Sequence, residues 1–177
     1  PLAPDGEEVR QNIWVVSQQD GRFGEPRLIQ ELVGEGWDGH AVQVDDGSLY
    51  FASDRSGGKG DIDIWRAQAR RGGYAPPVNV SELNSPGNES DLYIDPSERY
   101  MIFIRYDGAA KEIDLFGSVR HGRRWSSPAP LRSVNRPGWE LSPTVTPDGR
   151  WFVFQRDGQT EWRDWQAIRA DLAAAAK

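Results

Sequence analysis

The 177-residue chain has no cysteine, one methionine and only two histidines, His40 and His121. With no cysteine, disulfides cannot report the redox compartment. No apolar run approaches the ~20 residues of a membrane-spanning helix, and these 177 residues hold no signal-peptide pattern, which says nothing about export. Basic residues are in deficit: 21 Lys and Arg stand against 27 Asp and Glu, giving a net charge of −6 and a pI near 5.0. A nucleic-acid binder presents a basic face, and none is evident. The densest basic spots are Arg70-Arg71 and Arg120 to Arg124, and the second of them, "RHGRRW", reads as a solvated hairpin turn. Catalytic signatures are also missing. "GSVRHG" is not a nucleophile elbow, and there is no glycine-rich phosphate loop and no zinc-ligand spacing.

What the chain has in quantity is turn punctuation and rings. It carries 19 glycines, 12 prolines, eight tryptophans, five tyrosines and six phenylalanines. Disordered chains are poor in aromatics. Scattered Gly and Pro between short apolar stretches is the pattern of a short-stranded all-β protein.

An internal repeat organises these residues. "NIWVVSQQDGRFGEP" at 12, "DIWRAQARRGGYAPP" at 63 and "DLFGSVRHGRRWSSP" at 114 align. Trp14, Trp65 and Phe116 are 51 apart, as are Phe23, Tyr74 and Trp125, and Pro26, Pro77 and Pro128. Asp164-Trp165 reads as a fourth, weaker copy. A second pattern shares the period: a strand, an Asp/Pro/Gly turn, an aromatic strand, then Arg55, Arg105 or Arg156. Each repeat predicts four short strands. Strand a spans about 40–44, 90–95 and 142–146, and strand b about 48–53, 99–105 and 150–155. Strand c carries the Asp-Ile-Trp motif, and strand d the aromatic and Pro motif. Four antiparallel strands at this period are the mark of a β-propeller blade, which must stack on neighbours to bury its faces. The stretch "LYFASDRSGGKGDIDIW" (49–65) is then one b–c hairpin with a glycine turn.

The segments "SPTVTPDGRWFVFQ", "LYFASDRSGGKGDIDIW" and "NESDLYIDPSERYMIF" resemble the WD-like, PD-type repeats of TolB-type β-propellers, and "RRWSSPAPLRSVNRPGWELSP" resembles their linker between blades. The likeness runs from Asn12 to about Leu172 and is greatest to exported bacterial propeller proteins. It implies a periplasmic or extracellular location and a short helical tail at "RDWQAIRADLAAAAK". It says little of function, because propellers host many activities. The expected organisation is outer strands of a first blade at 12–33, full blades at 38–83 and 89–134, and a last blade with the helical tail at 140–177. That is an incomplete ring of about three and a half blades. The chain starts at Pro1 and enters in mid-blade, so further residues are expected to precede it. The alternative is two chains pairing into one ring, and open blade edges invite self-association.

Candidate sites follow from period and chemistry. Asp38, Glu89 and Glu140 precede the inner strands one period apart, where a ring of carboxylates could meet a cation or basic ligand. The competing role is an ion pair with the recurring Arg55, Arg105 and Arg156. His40 lies beside Asp38 at an inner strand start. Trp37 and Trp139 lie outside the repeat core and are the aromatics best placed to face a ligand. Asp54, Asp61 and Asp63 surround the glycine turn and offer oxygens of the kind Ca²⁺ takes. Asp63 recurs at Asp114 and Asp164, which points to bonding of turn amides instead. Trp14, Trp65, Phe116 and Trp165, with the three arginines, are read as structural repeat positions. No catalytic residue and no cofactor beyond the Ca²⁺ option is assigned. The expected function is a non-catalytic binding module for a protein or a cell-envelope polymer, with no nucleic-acid partner. A propeller-type glycosidase or lyase, or the propeller of a larger hydrolase, is the alternative.

Overall fold

The computed structural model describes residues 11–106 and 112–175. A partial first blade contains β1 (Trp14–Val15), β2 (Gln18–Gln19), β3 (Arg22–Phe23) and β4 (Arg27–Leu28). The second blade contains β5 (Asp38–Gln43), β6 (Leu49–Ser53), β7 (Asp63–Ala67), β8 (Ala69–Arg70), β9 (Gly73–Tyr74) and β10 (Val78–Asn79). The third contains β11 (Asn88–Ile94), β12 (Tyr100–Tyr106), β13 (Asp114–His121), β14 (Arg124–Trp125) and β15 (Ala129–Pro130). The fourth contains β16 (Glu140–Val145), β17 (Trp151–Arg156) and β18 (Gln159–Asp164), followed by α1 (Trp165–Ala175). All the strand pairs named here are antiparallel, and the second blade's order is β10-β7-β6-β5. The expected antiparallel sheets are thus present, as an open arc of a β-propeller.

Strand parity explains why the blades stack. Successive side chains leave a strand on opposite faces. In β12, Met101 and Phe103 join Tyr50, Ala52 and Ile64 of the second blade in one apolar core. Ile102 and Ile104 turn the other way, toward Phe152, Phe154 and α1. In β6, Leu49 and Phe51 face the partial blade through Ile13, Ile29 and Leu32. Every residue of β6 is buried. A strand covered on both sides reads as a continuous apolar run rather than an alternating one, which "LYFAS" does. Each fully buried Phe or Leu contributes on the order of 1.5–3 kcal/mol, so stacking of the blades is strongly stabilising.

Two expectations need correction. First, the aromatic and Pro motif is not one strand. Phe23, Tyr74 and Trp125 lie on β3, β9 and β14, which return along the end of strand c, and the Pro that follows lies outside any strand. The outermost strands β4, β10 and β15 begin after it. Proline has no N–H for the ladder, so the chain breaks pairing there and resumes one step outward. Second, Asp164-Trp165 is not a copy of the strand c motif. The register partners of Phe51, Phe103 and Phe154 are Trp65, Phe116 and Glu161. Glu161 therefore holds the position assigned to Trp165. The Asp164 carboxylate accepts the amides of Gln166 at 2.8 Å and Ala167 at 3.3 Å, an N-cap that starts α1. Trp165 is the first helical residue, buried edge-on against Tyr93 and Tyr100. The helix buries Trp165, Ile168 and Leu172, spaced along one face.

Candidate functional site

The inner strands β5, β11 and β16 lie side by side near the axis of the arc. At their starts lie Asp38, Glu89 and Glu140, buried at 2%, 0% and 0% exposure. Each meets an arginine of its own blade. Arg55 Nη2 is 2.6 Å from Asp38, Arg105 Nε is 2.7 Å from Glu89, and Arg156 Nε is 2.7 Å from Glu140. Nη2 of the three arginines also donates to the carbonyls of Leu32, Leu83 and Val134, which are themselves 51 apart.

The guanidinium groups lie on aromatic faces as well. Arg55 is 4.8 Å from the Phe51 ring centroid and 5.5 Å from that of Trp65, and Arg105 is 4.6 Å from that of Phe116. Thus Trp65 and Phe116 are floors for the arginines. In the fourth blade Glu161 takes that place, and its carboxylate pairs with Arg156 Nη1 at 2.7 Å. Burial pushes the Glu140 carboxyl above its usual range, although Arg156 works against the shift. The carboxylates are therefore engaged within the wall and do not form an open ring of charge.

Two residues further along, each inner strand has a bulge. The residues at the bulge are His40, Asp91 and Ser142, all with positive φ (51°, 45° and 52°) and 51 apart. Non-glycine residues rarely adopt this conformation, and the strain marks positions where a bulge re-aims a side chain. The three are joined in a row across two blade boundaries. His40 Nδ1 is 2.9 Å from Asp91 Oδ1, and Asp91 Oδ2 accepts the Ser142 amide at 3.0 Å and its hydroxyl at 3.4 Å. Burial pushes Asp91 up, but the bond to His40, the imidazole's charge and the two Ser142 bonds outweigh it, and the carboxyl lies below its usual range. The His40 side chain remains 41% exposed, and that of Asp91 13%. Sequence reasoning singled out His40 but missed Asp91 and Ser142. The period would have found them, because they are His40 advanced by one and two repeats.

The tryptophans flank this row. Trp37 packs against Gly39, and its ring centroid is 5.4 Å from that of His40. Trp139 is 53% exposed at the equivalent position. Their amides donate to Asp54 at 2.8 Å and Asp157 at 3.1 Å. Asp54 is thus a turn acceptor, and Asp63 likewise accepts the amides of Lys59 at 2.7 Å and Gly60 at 3.3 Å. Asp61 is exposed. Among the described residues no three His, Asp or Glu side chains group so as to hold a metal ion. Trp14 is 58% exposed, because among the described residues its sheet has only β1 and β4 and no inner strands to cover it.

No protein-family model matches the chain, and no curated protein sequence is significantly similar to it. Solved structures do match. TolB from Acinetobacter baumannii aligns over 94% of this chain and 40% of its own, with 15% identity and a TM-score of 0.53. Kuenenia stuttgartiensis hydrazine synthase aligns over 98% and 54%, with 12% identity and a TM-score of 0.54. A puromycin-hydrolyzing peptidase of Mycobacterium tuberculosis aligns over 95% and 29%, with 14% identity and a TM-score of 0.52. The chain thus spans little more than half, or less, of each of these proteins. Among the described residues no helix is long and apolar enough to cross a membrane. The chain has a TolB-like β-propeller fold, in the form of an incomplete ring.

Proposed function

We propose that the chain is a non-catalytic binding module of a periplasmic or extracellular bacterial propeller protein, and that its axial row receives a polar group of a protein or cell-envelope polymer. The observation that carries this reading is the run of three bulged residues, His40, Asp91 and Ser142, hydrogen-bonded across three blades at the start of the inner strands. Such a row offers an exposed imidazole, with Trp37 and Trp139 supplying apolar faces beside it. Backbone strain held at equivalent sites of three blades, with side chains at an open surface, is the kind of cost that function repays.

The geometry speaks against an enzyme at this site. An activated serine needs its hydroxyl on the imidazole. Here the Asp91 carboxylate stands between His40 and Ser142. Glycoside hydrolysis needs two carboxyl groups facing the substrate, whereas Asp38, Glu89 and Glu140 are buried against arginines.

The test is co-sedimentation with purified peptidoglycan sacculi, the simplest envelope polymer to offer. Saturable binding that falls at least about fivefold in Asp91→Ala supports the reading. Binding by Asp91→Ala and His40→Ala that equals that of the wild type would remove the axial row as the site.

A further inference from the structure

The two basic spots of the sequence meet in space. Consecutive blades turn their outer hairpins toward one open space, lined by Arg70 of β8–β9 and by Arg120 and Arg123 of the β13–β14 hairpin. Between them, with β10 as one wall, runs an open groove of about 890 Å³.

Its floor is neutralised. Glu98 Oε1 accepts the Tyr50 hydroxyl at 2.5 Å and pairs with Arg120 Nη1 at 2.5 Å and Arg66 Nε at 3.3 Å. Asp46 takes a second bond from Arg66 at 3.0 Å. Glu82 is occupied by the Trp125 amide at 2.9 Å and by Arg124 at 3.2 Å. Glu82 and the two acids bonded to lining residues, Glu98 and Asp46, are therefore already engaged, and the arginines beside them are more numerous. Arg70 and Arg123 are exposed and form no ion pair among the described residues. Arg120 Nε is buried without a hydrogen-bond partner. On a chain of net charge −6, two free guanidinium groups at one rim are a local reversal of sign.

We infer that this groove binds an acidic peptide segment in extended form, with carboxylates on Arg70 and Arg123. Guanidinium forks match carboxylates in geometry. A peptide fits better than a small anion for two reasons. The volume lies within the range of sites for ligands much larger than one oxyanion. The wall also offers what an extended chain uses. β10 is the outermost strand of its sheet, with one edge unpaired, and Val78 on it is 67% exposed. Adding a strand at such an edge supplies main-chain bonds, while the rim charges select the side chains. This site lies on the outer side of the blades and does not depend on the axial row.

The experiment is fluorescence anisotropy with a labelled hexapeptide of alternating glutamate and valine. Saturable binding is expected, weakening at least about tenfold in the double variant Arg70→Gln/Arg123→Gln and with the glutamine-valine peptide. Both replaced residues are exposed, and circular dichroism of the variant checks that its fold is intact. Equal binding of the glutamine peptide, equal binding by the double variant, or no saturable binding overturns the inference. Displacement by inorganic phosphate at lower concentration than by unlabelled peptide would overturn the assignment to a peptide. Asp91→Ala should leave this binding unchanged.

Discussion

His40 Nδ1 and Asp91 Oδ1 are 2.9 Å apart across the boundary of two blades, although 51 positions separate them in the chain. The pair has a pH consequence. The folded protein holds the Asp91 carboxyl below its usual range. A depressed acid contributes stability that is present above its unfolded pKa, about 3.9, and is lost as pH falls through the folded value. The stability gap between the wild type and Asp91→Asn should therefore be full near pH 6 and shrink below about pH 4. In His40→Ala, the Asp91 carboxyl followed by NMR should titrate higher than in the wild type. An unchanged titration would show that the imidazole does not hold it.

Arg156 serves two carboxylates at once, and its loss should be severe. Arg156→Ala leaves Glu140, which is fully buried, without its counter-charge. Breaking a buried pair from one side costs about 3–5 kcal/mol, read by urea unfolding at neutral pH. The pKa shift of Glu140 is opposite in direction to that of Asp91, but the variant's deficit runs the same way with pH. Glu140 already titrates above its usual range because of burial, so its protonated form suits the fold. The deficit of the variant should shrink as pH falls through the carboxylate range.

Asn84 and Asn135 form a matched pair of clamps. The Asn84 side chain accepts the Ile64 amide and donates to the Ile64 carbonyl, both at 2.9 Å, and Asn135 does the same to Leu115 at 3.1 and 2.9 Å. Substitution by alanine orphans two backbone groups on strand c. The cost of each orphaned buried group is about 1–3 kcal/mol. Asn84→Ala should be the costlier of the two, since its bonds are buried and those of Asn135 are partly exposed. Equal melting temperatures for Asn84→Ala and the wild type would disprove the clamp.

Gly60 explains the glycine turn of the second blade. A Cβ at this position would come within 1.7 Å of the Gly87 carbonyl oxygen. The obstacle is backbone, so nothing can swing aside. Gly60→Ala should destabilise by about 1–3 kcal/mol, the range for overpacking. Gly72→Ala meets no neighbour, and its cost comes only from positive φ. Thermal melts of the two variants separate close approach from conformational strain.

The 51-residue period, the strand order within a blade and the antiparallel class were legible in the sequence, because alternation and turn residues are local signals read directly from side-chain chemistry. The candidate acids and arginines were legible as equal sets at one period. Their pairing within a blade needed the register of β5 against β6 and of its two counterparts. The sequence also misled at Trp165, where spacing alone aligned an aromatic with strand c and could not see that Asp164 caps a helix. What only the tertiary structure decided is which positions meet across blades. The bulge that re-aims His40, Asp91 and Ser142 is a φ angle, not a residue type, and has no composition signal. The groove between Arg70 and Arg123 likewise exists only because stacked blades turn hairpins one repeat apart toward the same space. Local chemistry fixes each blade, and the packing of one sheet face on the next sets the sites between them.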